Sequence, residues 1–205
     1  MERGTMRVRA VGADALLLEV DDPTRWYAEL TYRRDIGDLD AIEIVPGART
    51  VLLDGLTDAP ATAEAVRGWT PTLSAQAPPG PLVEIPVTFD GEDLPAVAEV
   101  WGTDRDGVVA RLLTTELYVA FCGFSPGWAY LAGLPEELAV PRLDNPRPRV
   151  PAGSVALADR YAGIYPSPSP GGWRLVGRTE VTLFDPERRV PALLGPGTRV
   201  RFVAP

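Results

Sequence analysis

The 205-residue sequence predicts two domains, a small α+β domain over residues 1–75 and a β-barrel domain over residues 82–205. Three observations carry this. The first 70 residues read as strand, strand, helix, strand, strand, helix, an order that stacks helices on one sheet. Residues 70–81 (TPTLSAQAPPGP) hold four prolines and no charge, which is linker composition. Past that linker, short apolar runs recur between Gly/Pro turns, as they do in barrels.

Residues 8–11 and 16–20 read as strands on either side of Gly12-Ala13-Asp14. Asp21-Asp22-Pro23 then supplies a helix N-cap followed by proline in the first turn, where a missing N–H is no loss. Trp26, Tyr27 and Leu30 are spaced to form the buried face of that helix. Residues 41–45 and 50–53 flank Pro46-Gly47, a turn signal between two apolar runs. Asp58-Ala59-Pro60 opens a second short helix, ending near Trp69. In the second domain, residues 83–89 (VEIPVTF) alternate apolar and other side chains, the mark of a half-buried strand. Pro86 has no N–H to give to a central ladder, so this strand belongs at an edge or rim. Helices are predicted around residues 94–101 and 106–113, with Gly102 ending the first and Asp106 capping the second. The pair is not a DNA reader, because the second helix carries few basic side chains in an acidic chain. Further strands are predicted at residues 118–121, 154–157, 173–176, 181–184 and 199–203.

Composition narrows the chemistry. A formal net charge of −8 argues against a nucleic-acid or anionic-membrane surface. No apolar run approaches the ~20 residues of a membrane span, and residues 1–5 (MERGT) lack the apolar stretch of a secretory signal. Cys122 has no second cysteine to pair with, which fits a reducing, cytoplasmic setting. The chain contains no histidine, which removes Ser-His-Asp and Cys-His catalysis and any imidazole switch. With one cysteine as well, no metal site is expected.

Gly123-Phe124-Ser125-Pro126-Gly127 matches the G-x-S-x-G nucleophile elbow in letters only. The elbow needs a histidine base and the N–H of the residue after the serine, and here that residue is proline. A tight turn is the alternative. Residues 141–151 (PRLDNPRPRVP) place Arg142, Arg147 and Arg149 in a run that prolines keep stiff and non-helical. Two readings stand. Pre-organised guanidinium groups bind carboxylate or phosphate with little ordering entropy, and arginines on a solvated loop offset an acidic surface. Gly153 and Ser154 follow, with backbone N–H groups and a hydroxyl suited to an anion nest. Residues 165–173 (YPSPSPGGW) form a second stiff loop that begins at Tyr165 and ends at Trp173, with Arg174 and Arg178 beyond it. Trp173 reads either as core or as the wall of a ligand pocket approached closely over the glycines. These residues make up the predicted substrate-binding set, and no catalytic residue is assigned. No phosphate loop or dinucleotide fingerprint occurs, and Cys122 sits in an apolar run as an inert thiol.

The runs GFSPGWAYLAGLPEEL, PRLDNPRPRVPAGSVALA and GIYPSPSPGGWRLVGRT, in that order, are similar to the C-terminal half of the family of KipI and the 5-oxoprolinase B subunit, also known as allophanate hydrolase subunit 1 or carboxyltransferase subdomain C and D. VEIPV at residues 83–87 resembles that family's barrel-opening strand, and VGADALLLEV is the familiar stretch of the first 70 residues. The resemblance implies a cyclophilin-like barrel behind the small α+β domain. It implies assembly with a homologous second subunit (of the 5-oxoprolinase C-subunit or allophanate hydrolase subunit 2 type) and a third component. It also implies ATP-dependent opening of 5-oxoproline to glutamate, with ATP bound through the assembled complex. The chain departs from the family at two places. Members carry a histidine shortly before the tyrosine matched by Tyr118, where this chain has LLTTEL, and Gln then Thr before the GIYP run, where it has Tyr161-Ala162.

Three functions follow from the resemblance: a 5-oxoprolinase-like subunit inactive alone, a KipI-like inhibitor of a sensor histidine kinase, and a carboxyltransferase paralogue of the urea carboxylase domain. No Met-Lys-Met biotin-attachment run is present, so for the third a carrier would be another protein. Limited proteolysis is expected to cut within residues 70–81 and release a stable fragment beginning near residue 82. Cleavage inside that fragment, with the linker intact, would contradict the boundary.

Overall fold

A computed structural model describes residues 6–71 and 80–205, and the chain falls into two compact units, Met1–Pro79 and Gly80–Pro205. Residues 72–79 of the predicted linker lie outside the described residues. In the first unit the order is β1 (Arg7–Val11), β2 (Ala15–Glu19), α1 (Pro23–Asp35), β3 (Glu43–Pro46), β4 (Thr50–Asp54) and α2 (Ala59–Arg67). The strands form one antiparallel sheet in the order β1-β2-β4-β3. Both helices start where their Asp-Pro signals put them. Asp22 accepts the N–H of Arg25 at 3.0 Å, and Asp58 that of Ala61 at 2.9 Å. Leu16, Leu18, Val51 and Leu53 alternate inward from the central strands onto Trp26, Leu30 and Val66 of the helices. Tyr27, expected on the buried face of α1, is half-buried; Glu29 is buried instead and holds Arg33 at 2.8 Å, one turn on.

The second unit runs β5 (Leu82–Pro86), α3 (Leu94–Val100), α4 (Arg105–Thr114), β6 (Leu117–Cys122), β7 (Ala129–Ala132), β8 (Arg147–Val150), β9 (Ser154–Ala158), β10 (Tyr161–Ile164), β11 (Ser169–Gly171), β12 (Arg174–Arg178) and β13 (Arg199–Val203). Seven strands form a mixed sheet in the order β12-β9-β10-β7-β6-β13-β5. β5 lies at its edge, as Pro86 requires, and pairs in parallel with β13. The sheet curls until its two ends meet. Thr88, just past β5, exchanges N–H···O bonds with Arg178 of β12, both at 2.9 Å. Inside the curl, α3 and α4 contribute Leu94, Val97, Val108 and Leu112 to a core shared with Ile85, Leu131, Leu157 and Phe202. No helix among the described residues is long and apolar enough to cross a membrane.

Four expectations need correction. Asp104 rather than Asp106 caps α4, its carboxylate accepting the N–H of Gly107 at 2.8 Å, and Asp106 lies within the first turn. Residues 181–184 are not a strand; only Phe184 forms a bridge, with Ala192, so their alternating burial comes from packing rather than from a ladder. The predicted loops at 141–151 and 165–173 contain β8 and β11, which pair as a two-stranded ribbon, with Ser169 opposite Val150 and Gly171 opposite Arg147. Pro148 and Pro170 fall between those paired positions, at an irregularity of the register, where a missing N–H breaks no ladder bond. Strands β7 and β10 were not foreseen either, being short and broken by alanine and glycine.

Closure of the curl depends on backbones in near contact. A Cβ at Gly177 would lie 2.5 Å from the carbonyl oxygen of Thr88, which is main chain and cannot turn aside. Gly177→Ala is therefore expected to destabilise the second unit by about 3 kcal/mol, the upper end for overpacking. Urea unfolding measures it, and an unchanged midpoint would contradict this account of closure.

Candidate functional site

The ribbon brings both proline-rich segments together, and Asp93 fixes it to the curled sheet. Asp93 occupies the N-cap position of α3 but makes no side-chain cap. Its carboxylate instead accepts the N–H of Leu175 in β12 at 2.7 Å and both bonds of the Arg147 Nη2 donor, at 3.0 and 2.9 Å. Arg147 also reaches Glu92 at 2.8 Å through Nε and the Trp173 carbonyl at 3.4 Å. Burial works against the charged guanidinium, but Asp93 and then Glu92 outweigh it, and the pKa of Arg147 is raised. Arg174 donates to the Pro141 carbonyl at 3.1 Å and stands 4.0 Å from Asp93. A main-chain bond from Leu143 to Gly172, at 2.7 Å, adds a further tie between the two segments.

Of the nine predicted site residues, the structure gathers most around this junction but leaves few of them open. Arg147 is committed to Asp93 and Glu92, and Arg178 to Asp90 at 2.8 Å. Arg142 lies over the Trp173 ring, 5.7 Å from its centroid, and Arg149 is exposed with no ion pair among the described residues. The main-chain N–H of Gly153 is bonded to the Tyr165 carbonyl at 2.8 Å, and that of Ser154 faces the Pro151 carbonyl at 3.4 Å. Those donors are therefore occupied within the chain. Gly153 is required as glycine, since at φ +77° its Cβ would meet the Thr179 carbonyl oxygen at 2.2 Å.

Tyr165 and Trp173 are buried in a layer of rings centred on Trp128. Edge-to-face contacts join Trp128 to Tyr165 at 4.7 Å, Trp173 at 5.0 Å, Phe124 at 5.3 Å and Tyr130 at 5.9 Å. Gly163 of β10 leaves room for it, since a Cβ there would stand 2.8 Å from Trp128. Burial pushes the Tyr165 hydroxyl pKa up, against a hydrogen bond to the Trp173 backbone and the nearby charges of Arg142 and Arg147. Trp128 and Tyr130 were not among the predicted site residues; the apolar run Trp128-Ala129-Tyr130 after a Gly-x-x-x-Gly turn was the available signal.

This arrangement suits binding and orientation rather than proton transfer. Asp90, Glu92 and Asp93 are each held in an ion pair. Burial raises the Cys122 thiol pKa, and its sulfur lies 3.6 Å from the Leu194 carbonyl, so it is a poor nucleophile. Ser125 sits in the turn between β6 and β7, as the tight-turn reading of Gly-x-Ser-x-Gly expected, with a buried hydroxyl that has no hydrogen-bond partner among the described residues. No group of three His, Cys, Asp or Glu among the described residues is placed to hold a metal.

Residues 6–194 match the family described as carboxyltransferase domain, subdomain C and D. The chain is 37% identical to the B subunit of 5-oxoprolinase from Escherichia coli O157:H7, over 96% of this chain and 95% of that protein. It is 42% identical to the B subunit of 5-oxoprolinase from Bacillus subtilis, over 60% of this chain and 52% of that protein. Among solved structures, TTHA0988 superposes with a TM-score of 0.74 at 34% identity, and the match covers 99% of this chain but only 40% of the TTHA0988 chain. The Kluyveromyces lactis urea carboxylase superposes with a TM-score of 0.70 at 18% identity, over 98% of this chain and 22% of that one, a likeness of fold.

Asp93 is the residue whose loss this geometry makes most damaging. Asp93→Ala leaves Arg147 partly buried without its main partner and the Leu175 N–H unpaired, for a cost of about 3–5 kcal/mol. Chemical denaturation measures the loss, and a variant within about 1 kcal/mol of the wild type would contradict the role given to this carboxylate.

Proposed function

We propose that this chain, which belongs to the carboxyltransferase subdomain C and D family together with the 5-oxoprolinase B subunits, works as one subunit of an ATP-dependent complex that opens 5-oxoproline to glutamate and has no activity by itself. The observation that carries this reading is the end-to-end match to a protein named as a subunit, rather than to a domain within an enzyme of another kind. The likeness to urea carboxylase, at 18% identity, concerns the fold and favours no carboxyl transfer here.

The chain's own residues support a binding share in that reaction. 5-Oxoproline carries one carboxylate, and Arg149 and Arg142 are the predicted site arginines without an ion pair among the described residues. In our reading they take that carboxylate, while Arg147, Arg174, Gly153, Ser154, Tyr165 and Trp173 hold the ribbon that presents them. The residues do not fit a nucleotide triphosphate. Helix N-termini are the usual phosphate sites, and α1, α2, α3 and α4 begin at Asp22, Asp58, Asp93 and Asp104. Three of those carboxylates already accept their own helix's N–H. We therefore assign ATP, and the acid–base groups a histidine-free chain lacks, to the second subunit and the third component.

The same reading makes the two units separate domains, residues 1–75 and 82–205, the latter a cyclophilin-like barrel acting in the cytoplasm. The Thr88–Arg178 bridge, which draws the curled sheet towards closure, supports the barrel.

The pure chain is expected to turn over neither 5-oxoproline nor ATP, with activity appearing once the second subunit and third component of the same organism are added. Turnover by the chain alone would overturn this. In the reconstituted complex, Arg149→Ala is expected to weaken 5-oxoproline binding by about 1.5–3 kcal/mol, read from KM, with kcat little changed.

A further inference from the structure

Phe124 stands at φ +66°, in the left-handed region, with 63% of its surface exposed. The fold accounts for neither. A left-handed residue in a tight turn is ordinarily Gly, Asn or Asp, and Asp159, the other non-glycine residue at positive φ among the described residues, keeps to that rule. A large ring is ordinarily retained for burial, yet Phe124 is the most exposed aromatic side chain among the described residues. Its ring contact, edge-on to Trp128 at 5.3 Å, steadies it and leaves most of it in water. A strained backbone thus holds an apolar ring out to solvent, and choices made against local physics concentrate at functional sites.

The surroundings point the same way. The hydroxyl of Ser125 and the indole N–H of Trp128, in and beside the same turn, are buried without a protein hydrogen-bond partner among the described residues, so the turn is not tuned to the stability of the isolated chain. From Phe124 the ring contacts run through Trp128 to Tyr130, then to Phe121, stacked at 4.2 Å, and Tyr161 at 5.8 Å, all three half-buried. Two guanidinium groups without ion pairs among the described residues flank this stripe: Arg160 lies 5.4 Å above the Tyr161 ring, and Arg142 lies above Trp173. Exposed aromatics with arginine are the residue types that carry binding energy at protein interfaces.

We propose that the 123–127 turn anchors the surface on which this chain receives the second subunit, with the Phe124 ring entering an apolar pocket and Arg160 meeting a carboxylate at its rim. The proposal rests on the subunit reading above. A heterologous partner fits better than a second copy, because a two-fold contact through this patch would bring like cations together. The longer TTHA0988 chain, more than half of which lies outside the match, fits a partner of substantial size.

The test uses the full chain and the purified second subunit of the same organism, with affinity read by titration calorimetry and oligomeric state by sedimentation. Phe124→Asp is expected to weaken the complex at least about 30-fold, as loss of a hot-spot residue does. Phe124→Gly is expected to weaken it as well, while leaving the Tm of the isolated chain unchanged or raising it by about 2–4 °C through relief of the left-handed strain. Wild-type affinity in either variant overturns the docking surface and leaves the subunit reading intact. A fall in Tm on Phe124→Gly shows that the ring serves the fold and also overturns it, as does a self-association of the wild type that Phe124→Asp abolishes. If the wild-type chain binds no second subunit at all, the subunit reading fails and this proposal with it.

Discussion

The second unit depends on one buried carboxylate. Asp93 sits where a helix cap belongs, yet its side chain makes no cap to α3 and gives its carboxylate oxygens to β12 and the β8–β11 ribbon. Both are charge-assisted bonds in a partly dehydrated place, stronger than a neutral cap and harder to replace. With that carboxylate, the ribbon lies fixed over the ring layer around Trp128. Without it, Arg147 becomes a partly buried cation lacking its main partner. A short ribbon rich in proline has little cohesion of its own, so its order is borrowed from this junction.

The junction also sorts the arginines. Five predicted for one anion site do not act alike, because acids 54 to 88 positions away in sequence reach only some of them. Glu92 and Asp93 neutralise Arg147, and Asp90 neutralises Arg178. Arg142 rests on an aromatic face, and Arg149 stays in solvent. Stiff loops with regularly presented guanidinium groups look equivalent in a sequence. What separates them is which ones the fold brings against carboxylates.

Local signals were legible and distant ones were not. The Asp-Pro starts of α1 and α2 and the edge position of Pro86 are consequences of one residue's chemistry and its neighbours, and each could be read directly. The ribbon strands were hidden because alternating proline and arginine is the vocabulary of a loop, and only pairing across a bulge turns it into strand. Residues 181–184 erred the other way, since alternating burial without a neighbouring strand mimics a ladder. Asp93 was invisible as a hub, because its partners lie 54 and 82 positions away. Trp128 was legible as an apolar residue but not as the centre of a ring layer, which depends on Gly163 in another strand.

The parallel pairing of β5 with β13 sets a condition on how the second unit is made. Residues 82–86 take their place beside residues 199–203, and no strand nearer in sequence can stand in for them. During synthesis the first strand of this sheet must wait, its inward residue Ile85 uncovered, until the last has left the ribosome. Closure of so long a loop is slow, and strand edges left open meanwhile invite other chains. Pro86, at the end of the waiting strand, is suited to that interval as well as to its final position, because it denies an intruding strand one hydrogen bond.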